Sequence, residues 1–424
     1  MKTSKILVAV MMALLTLPLL MAQDLVRVDG KGFTLRGKPY KFIGTNIWYA
    51  PILASEGQGG DRKRLSAELD SLKALGMDNL RILVGAEGVG ARESHIQPQL
   101  QTEPGVYNDT LLRGLDYLIN EMEKRDMRGV FYLTNAWEWS GGFSQYLEWA
   151  GYGRAAIPSR DGYKNYCQYT SQFMLSKEAQ DMFADHVRRI VGRRNSITGL
   201  PYSKSPAIMS WQIANEPRCF NADNFEEFYD WLISAARLIK SIDPNHLVST
   251  GSEGSVGCEL DLEMWKRIHN SPEIDYANIH LWPTNWQWVS RDSLKENLPR
   301  GLRLTEEYIR EHRQATDKPI VLEEFGFPRD SMATACGTPV TARDKYYNYI
   351  LNYFNSTPDL AGVNFWGWGG SARPQKTVWE LGQPYTCDPA HEPQGIYSVF
   401  DNDTTTVRII RNAIRRMKAQ TRPQ

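Results

Sequence analysis

A chain of 424 residues and 48.4 kDa is at the upper end for one compact domain. Its 42% hydrophobic and 23% charged residues exclude a long disordered or low-complexity protein. Lys+Arg and Asp+Glu both number 49, and this zero net charge argues against a nucleic-acid or polybasic membrane-surface partner. The 13 Trp and 20 Tyr stand out, because beyond filling a core they supply flat faces on which sugar rings stack.

The chain opens with Lys2 and Lys5 and an apolar run over residues 6–22, broken by Thr16 and Pro18. Short and without basic residues behind it, this stretch reads as a secretory signal peptide over 1–22 rather than a membrane span, and implies a secreted or periplasmic protein. Behind it, Asp29-Gly30 marks the turn of a β-hairpin. Short apolar runs then alternate with amphipathic stretches. Strands are expected at 40–45, 79–84, 129–133, 208–214, 246–250, 276–280, 320–324 and 362–365. Helices are expected through 65–75, at 111–125, 177–191, 224–242, 302–314 and 342–354, and finally at 405–417. No fixed short repeat, linker or composition shift divides 23–424. These units predict an α/β fold, a closed (β/α)8 TIM barrel with long rim loops and the N-terminal β-hairpin, as a single catalytic domain.

In such a barrel the chemistry sits where strands end. The residues there are Asn46 and Trp48, then Arg81 inside the second strand, Asn135 and Trp137, and Asn215-Glu216-Pro217. Ser252 and Glu253, His280 and Trp282, Glu323-Glu324, and Trp366 complete the rim. Two strand-end glutamates dominate. A pair of carboxyls at one rim is what glycoside hydrolysis needs, one to protonate the leaving oxygen and one to attack or to activate water. Rim acids that only pair with arginines are the alternative. No HExxH, P-loop, GxGxxG or GxSxG pattern is present, and no cofactor or catalytic metal is called for.

The NEP of residues 215–217 and the EFG of 324–326 resemble family 5 glycoside hydrolases. GTNIWY, NLRILVG, HLWPTNW, VLEEFGF, NFWGWGGSARP and HEPQGIYSVFD resemble more narrowly the β-mannanases of that family, from about residue 26 to the C-terminus. The resemblance implies a retaining enzyme hydrolysing β-1,4-mannosidic bonds inside a β-mannan polysaccharide or manno-oligosaccharide substrate. Glu216 would be the acid/base and Glu324 the nucleophile. Arg81 would brace the nucleophile, Asn215 would bind the sugar 2-hydroxyl, His280 would lie beside the pair, and Trp366 would be the platform under the cleaved sugar. Trp282 stands where many members carry a tyrosine that donates to the nucleophile, so its reach to Glu324 is open. Trp48, Asn135, Trp137, Trp286 and Trp379 are candidates for flanking subsites. Glu323 is expected on the opposite side of its strand, by alternation, as a structural partner.

Five cysteines allow at most two disulfides, and Cys336–Cys387 and Cys219–Cys258 are the expected pairs, with five free thiols as the alternative. The long loop over residues 367–395 either forms one wall of an open cleft or blocks its end. Exo-acting β-mannosidase, β-1,4-glucanase and non-catalytic glycan-binding barrel are the competing functions. No nucleic acid, no membrane span and a monomer complete the expectations.

Overall fold

The computed structural model describes residues 24–88 and 95–421, so the expected signal peptide lies outside the described residues. Eight parallel strands form the barrel: β1 (Phe42–Asn46), β2 (Asn79–Leu83), β3 (Arg128–Tyr132), β4 (Ile208–Gln212), β5 (Leu247–Ser249), β6 (Ala277–Leu281), β7 (Ile320–Phe325) and β8 (Leu360–Phe365). Every residue in them is buried, as parallel strands covered by helices require. The helices that surround the barrel are α1 (Arg62–Leu75), α2 (Asp109–Lys124), α3 (Lys177–Val191), α4 (Phe225–Ile242), α5 (Leu262–His269), α6 (Leu294–Ala315), α7 (Thr341–Ser356) and α8 (Thr404–Gln420), with shorter helices in the rim loops. Their starts follow from side chains that accept the first free N–H groups: Asp61 for α1, Asn108 for α2, Ser176 for α3 and Asp261 for α5. Leu65, Leu69 and Leu72 form the buried stripe of α1.

Ladders run continuously from β5 through β4, β3, β2, β1, β8 and β7 to β6. Between β5 and β6 no ladder is formed among the described residues, and single contacts join the edges instead. Asp275 N donates to Val248 O (2.8 Å) and His280 N to Glu253 O (3.1 Å). The Asn278 side chain accepts from Gly251 N at 2.9 Å.

The N-terminal hairpin gains a third strand: Arg27–Asp29, Gly32–Leu35 and Lys38–Tyr40 form an antiparallel meander. Its second turn is Arg36-Gly37, both with positive φ (55° and 72°), the backbone that a two-residue hairpin turn needs. The sheet plugs the bottom of the barrel. Phe33 meets Tyr276 edge-on at 5.4 Å in a core shared with Phe42, Val130, Met209 and Val321.

Three further differences from the sequence reading have local causes. Helix α5 is only eight residues long and follows an irregular turn, so its periodicity is too short to stand out. Helix α6 starts at Leu294, eight residues before the expected start, and takes in Pro299 as its sixth residue, where the missing N–H forgoes one backbone bond. The cysteines are free, which corrects both expected disulfides. Cys387 is buried with its thiol 3.4 Å from Asn46 O, while Cys336 stays half-exposed in its own loop. Cys219 and Cys258 are both buried but unbonded. No described helix is long and apolar enough to cross a membrane.

Candidate active site

At the centre of the rim lies the buried guanidinium of Arg81, on β2. Its Nε donates to Gln212 Oε1 (2.8 Å), and its two terminal nitrogens to Asn46 Oδ1 (3.1 Å), Asn215 Oδ1 (2.9 Å) and Glu324 Oε1. The Tyr132 ring stacks under it, 4.4 Å from the guanidinium carbon. Burial opposes this charge, but Glu324 and Glu323 outweigh it and hold Arg81 protonated.

Glu323 does not point away from the barrel axis as simple alternation requires. The β6–β7 register shifts between Ile279 and His280, so that Leu322 pairs with Ile279 and Glu324 with His280. This bulge turns both glutamates inward, because an extra residue resets the alternation. Glu323 Oε2 lies 3.7 Å from Arg81 Nε and accepts from Gln212 (2.5 Å), while Oε1 accepts from the Tyr276 hydroxyl (3.2 Å). Burial pushes this carboxyl up to about 7.

Glu324 Oε2 accepts from Trp282 Nε1 at 3.1 Å, so the indole does reach the carboxylate. The neighbouring Gly326 explains how: a Cβ there would lie 2.6 Å from Trp282 Cζ3, and only glycine leaves room for the ring. Across the rim, Glu216 takes a left-handed backbone (φ 49°), uncommon for a non-glycine residue. Its carboxylate accepts from Trp137 Nε1 (2.6 Å) and contacts His280 Nδ1 (2.8 Å). One ligand atom each from Glu216, His280 and Glu324 lie within 4.8 Å of one another, a grouping that could also hold a metal ion. Burial holds His280 neutral, well below the usual histidine range.

Burial raises both Glu216 and Glu324, and the charge of Glu216 raises Glu324 further. Two such carboxyls hold one proton between them. The direct bond from Arg81 stabilises the anion of Glu324, so the proton belongs on Glu216.

The pair opens into a cleft of about 450 Å³. Trp366 and Trp282 line it beside the pair, with Trp137 and Asn215 at the Glu216 side and Trp286 farther out. Trp137 stacks with Tyr166 (5.9 Å, 14°) and with Tyr163 (6.4 Å, 28°). Five of the expected binding residues are not in the lining: Arg81 and His280 lie behind the acid pair, and three others are packed elsewhere. Trp48 is buried beneath the rim, donating to Cys387 O at 2.9 Å and packed on Trp139. Asn135 is buried too, its Oδ1 accepting from Asn215 Nδ2 (3.1 Å) and Trp137 N (3.0 Å), so it orients two lining residues. Trp379 packs on Tyr385. A strand-end position does not decide whether a side chain faces the cleft or the loop packed above it.

The sequence reading passed over Arg218, Tyr163, Asn285, Trp139, His391 and Glu392, which line the cleft. Arg218 follows directly on residues 215–217, Asn285 lies in HLWPTNW and His391 and Glu392 in HEPQGIYSVFD, and these neighbourhoods were the available signals. Arg218 donates to Glu253 Oε2 at 2.5 Å and lies 5.2 Å from the Trp137 ring. The others sit on loops with no periodicity to place them.

Residues 23–422 match a family model described as GH family 5 beta-mannosidase-like. The chain is 30% identical over 335 residues to a rice protein named putative mannan endo-1,4-beta-mannosidase 9, covering 77% of this chain and 76% of that one. It is 29% identical to an Arabidopsis protein named putative mannan endo-1,4-beta-mannosidase 4, over 80% and 81% of the two chains. Among solved structures it is similar to a glycoside hydrolase family 5 mannosidase from Rhizomucor miehei, at 34% identity and TM-score 0.86 over 94% of this chain and 99% of that one. That protein has also been solved as a Glu→Ala variant in complex with mannosyl-fructose. An endo-1,4-beta-mannanase from the same fungus shares the fold at 24% identity and TM-score 0.67.

Proposed function

Because the chain belongs to glycoside hydrolase family 5, in its β-mannosidase-like group, we propose that it hydrolyses β-1,4-mannosidic linkages of mannan-type chains by double displacement. The observation that carries the mechanism is the close approach of Glu216 and Glu324, with reactive oxygens within 4.8 Å. This suits a direct attack on the sugar, which needs carboxyls about 5–5.5 Å apart, and is too close for a water to be held between acid and base.

Glu324, kept anionic by Arg81 and oriented by Trp282, attacks the anomeric carbon. Glu216 gives its proton to the departing oxygen, and a glycosyl–enzyme ester forms on Glu324. The N–H of Trp137 and the His280 ring then face a new carboxylate on Glu216. These contacts strengthen as charge develops, so they favour the step. Glu216 next takes a proton from water, which attacks the ester and releases the sugar with retained configuration. Asn215, fixed by Arg81 and Asn135, is placed to hold the 2-hydroxyl, and Trp366 offers its face to the pyranose C–H groups. The substrate is a β-mannan or manno-oligosaccharide cut internally, met outside the cytoplasm after export by the N-terminal segment.

A second reading, removal of single mannose units from chain ends, is favoured by two observations. The residue 367–395 loop reaches across the rim, where His391 stacks on Trp139 (6.3 Å, 16°). The likeness to the mannosidase structure also exceeds that to the mannanase. Digestion of β-1,4-mannohexaose by wild type and Glu324→Ala, resolved over time, tests both. Mannobiose and mannotriose from the first minutes, absent in the variant, support internal cutting. Mannose alone supports the second reading, and activity only on β-glucan refutes the substrate.

A further inference from the structure

A second cavity, of about 850 Å³, lies on the outer flank of the barrel between α1 and α8 and shares no lining residue with the cleft. Its α8 wall carries Arg411, Arg415 and Lys418. Their i, i+4 and i+7 spacing puts three cations on one helix face, along about 10 Å. All three are exposed. Among the described residues neither Arg411 nor Arg415 forms a hydrogen bond or an ion pair, while Lys418 Nζ donates to Gly76 O at 2.8 Å and keeps two free donors. From this unpartnered row we infer that the groove between α1 and α8 binds an acidic polysaccharide, a linear chain whose uronate carboxylates meet Arg411, Arg415 and Lys418. The inference goes beyond the hydrolytic reading and does not depend on it.

The groove follows from the side chains that face it. On α1 the wall is made by Ser71 and Ala74, both short, followed by Leu75 and the capping Gly76. The two helices meet at their lower ends, where a Cβ on Gly76 would lie 2.9 Å from Ile414 Cγ2. Above that contact the groove extends from Ala419 back to Val407, about 18 Å of helix. Asp401 stands at its upper end, but it is ion-paired to Arg373 and does not neutralise the row. Favourable interaction with the helix dipole accounts for a cation in the last turn, where Lys418 lies. Arg411 and Arg415 lie above that turn, beyond the reach of this effect.

The shape and lining select among anionic partners. A lipid surface lies against a convex, apolar-faced helix rather than entering a groove. Single-stranded nucleic acid needs ring faces for its bases, and the Trp368 ring in the lining is 2% exposed, with its Nε1 already on Glu68 Oε2 (2.7 Å). An amphipathic acidic helix needs an open apolar floor, yet Val407 and Ile414 are only 9% and 1% exposed. A hydrophilic chain with regularly spaced carboxylates matches what remains. Each guanidinium offers a fork to a carboxylate, and the exposed Ser71 hydroxyl can donate to or accept from a sugar hydroxyl.

The test is biolayer interferometry of the full chain on sensors carrying biotinylated polygalacturonate, its methyl ester, poly-L-glutamate or phosphatidylglycerol vesicles. Wild type and Glu324→Ala should bind polygalacturonate alike and ignore the methyl ester. The signal should vanish at about 1 M salt, where the screening length is about 3 Å. An exposed ion pair contributes up to about fivefold in affinity, so Arg411→Gln combined with Arg415→Gln should weaken binding by about five- to twentyfold. The melting temperature and hydrolytic rate should stay unchanged, and lysine at both positions should restore most of the binding. No binding by wild type, or equal binding by the double glutamine variant, overturns the inference. Affinity for poly-L-glutamate or the vesicles as high as for polygalacturonate overturns the polysaccharide as occupant. A wild type that binds polygalacturonate but cleaves no β-mannoside would refute the hydrolytic reading and uphold this one.

Discussion

Replacing Trp282 by Phe removes one N–H while keeping most of an aromatic ring in place. In the folded protein that N–H reaches Glu324 Oε2 at 3.1 Å, and Arg81 holds the other oxygen. A hydrogen bond to a charged group is worth about 1.5–3 kcal/mol. At 1.36 kcal/mol per unit, its loss raises the pKa of the nucleophile by about 1–2 units. The donor favours the anion, so without it Glu324 keeps its proton to higher pH. The acidic limb of the kcat/KM profile on a β-mannoside therefore moves up by about 1–2 pH units, and the alkaline limb, which reports Glu216, moves up by less, because Trp282 is the smallest of the groups that lower that carboxyl. Below the limb the variant is about ten- to a hundredfold slower, and on the plateau the gap narrows. The smaller ring also loosens edge contacts to Tyr397 (5.2 Å) and Trp366 (5.9 Å), which lowers thermal stability independently of pH. An acidic limb that stays in place, with the plateau depressed, would refute the claim that this bond tunes the nucleophile.

Gly326→Ala should imitate that variant, since the new Cβ must push the indole off its 2.6 Å approach. The combination with Trp282→Phe should cost no more than the larger single effect, because both act on one bond, and an additive loss would argue against this. Azide separates the two acids: Glu324→Ala with an aryl β-mannoside should yield the α-mannosyl azide, and Glu216→Ala the β-azide, read by NMR; the same anomer from both would refute the roles. Glu87, raised to about 7 by burial, accepts from Gly142 N (3.0 Å) and the Tyr146 hydroxyl (3.2 Å), with no cation bonded to it among the described residues. Unfolded, it ionises near 4.3, so between there and pH 7 only the folded state keeps the proton. Stability then falls as pH rises by about 1.4 kcal/mol per unit. Glu87→Gln should remove that slope, gaining on wild type between pH 5 and 7 in denaturant titrations; parallel pH profiles would refute it.

The barrel was legible because its evidence is periodic. Helix α3 is expected and found at Lys177–Val191, where the Ser176 cap and a long amphipathic run agree. The acid pair was legible because carboxyls at strand ends are few. Glu323 was misplaced because alternation assumes an unbroken ladder, and a bulge at β6–β7 depends on the neighbouring strand rather than on local residues. Trp48 and Asn135 sit where rim residues should, yet loops packed above them turn one into core and the other into a brace. Arg218 directly follows the NEP of 215–217 and Glu392 lies within HEPQGIYSVFD, but neither motif says which way its side chain faces, and only the folding back of their loops brings them to the cleft. The cysteines show the same limit: neighbouring loops do not ensure that thiols meet.

The break between β5 and β6 bears on how the enzyme would fail under heat. His280, whose ring contacts Glu216, stands on one side of it, and Glu253, which binds Arg218, on the other. Only scattered bonds cross there, one of them from the His280 amide itself. Local opening begins where backbone pairing is sparsest, well below the free energy of global unfolding. Thermal inactivation should therefore precede melting, with the catalytic geometry lost through one unzipped join while seven ladders still stand. Amide exchange at His280 faster than at Ile82, whose strand is paired on both sides, would be its signature.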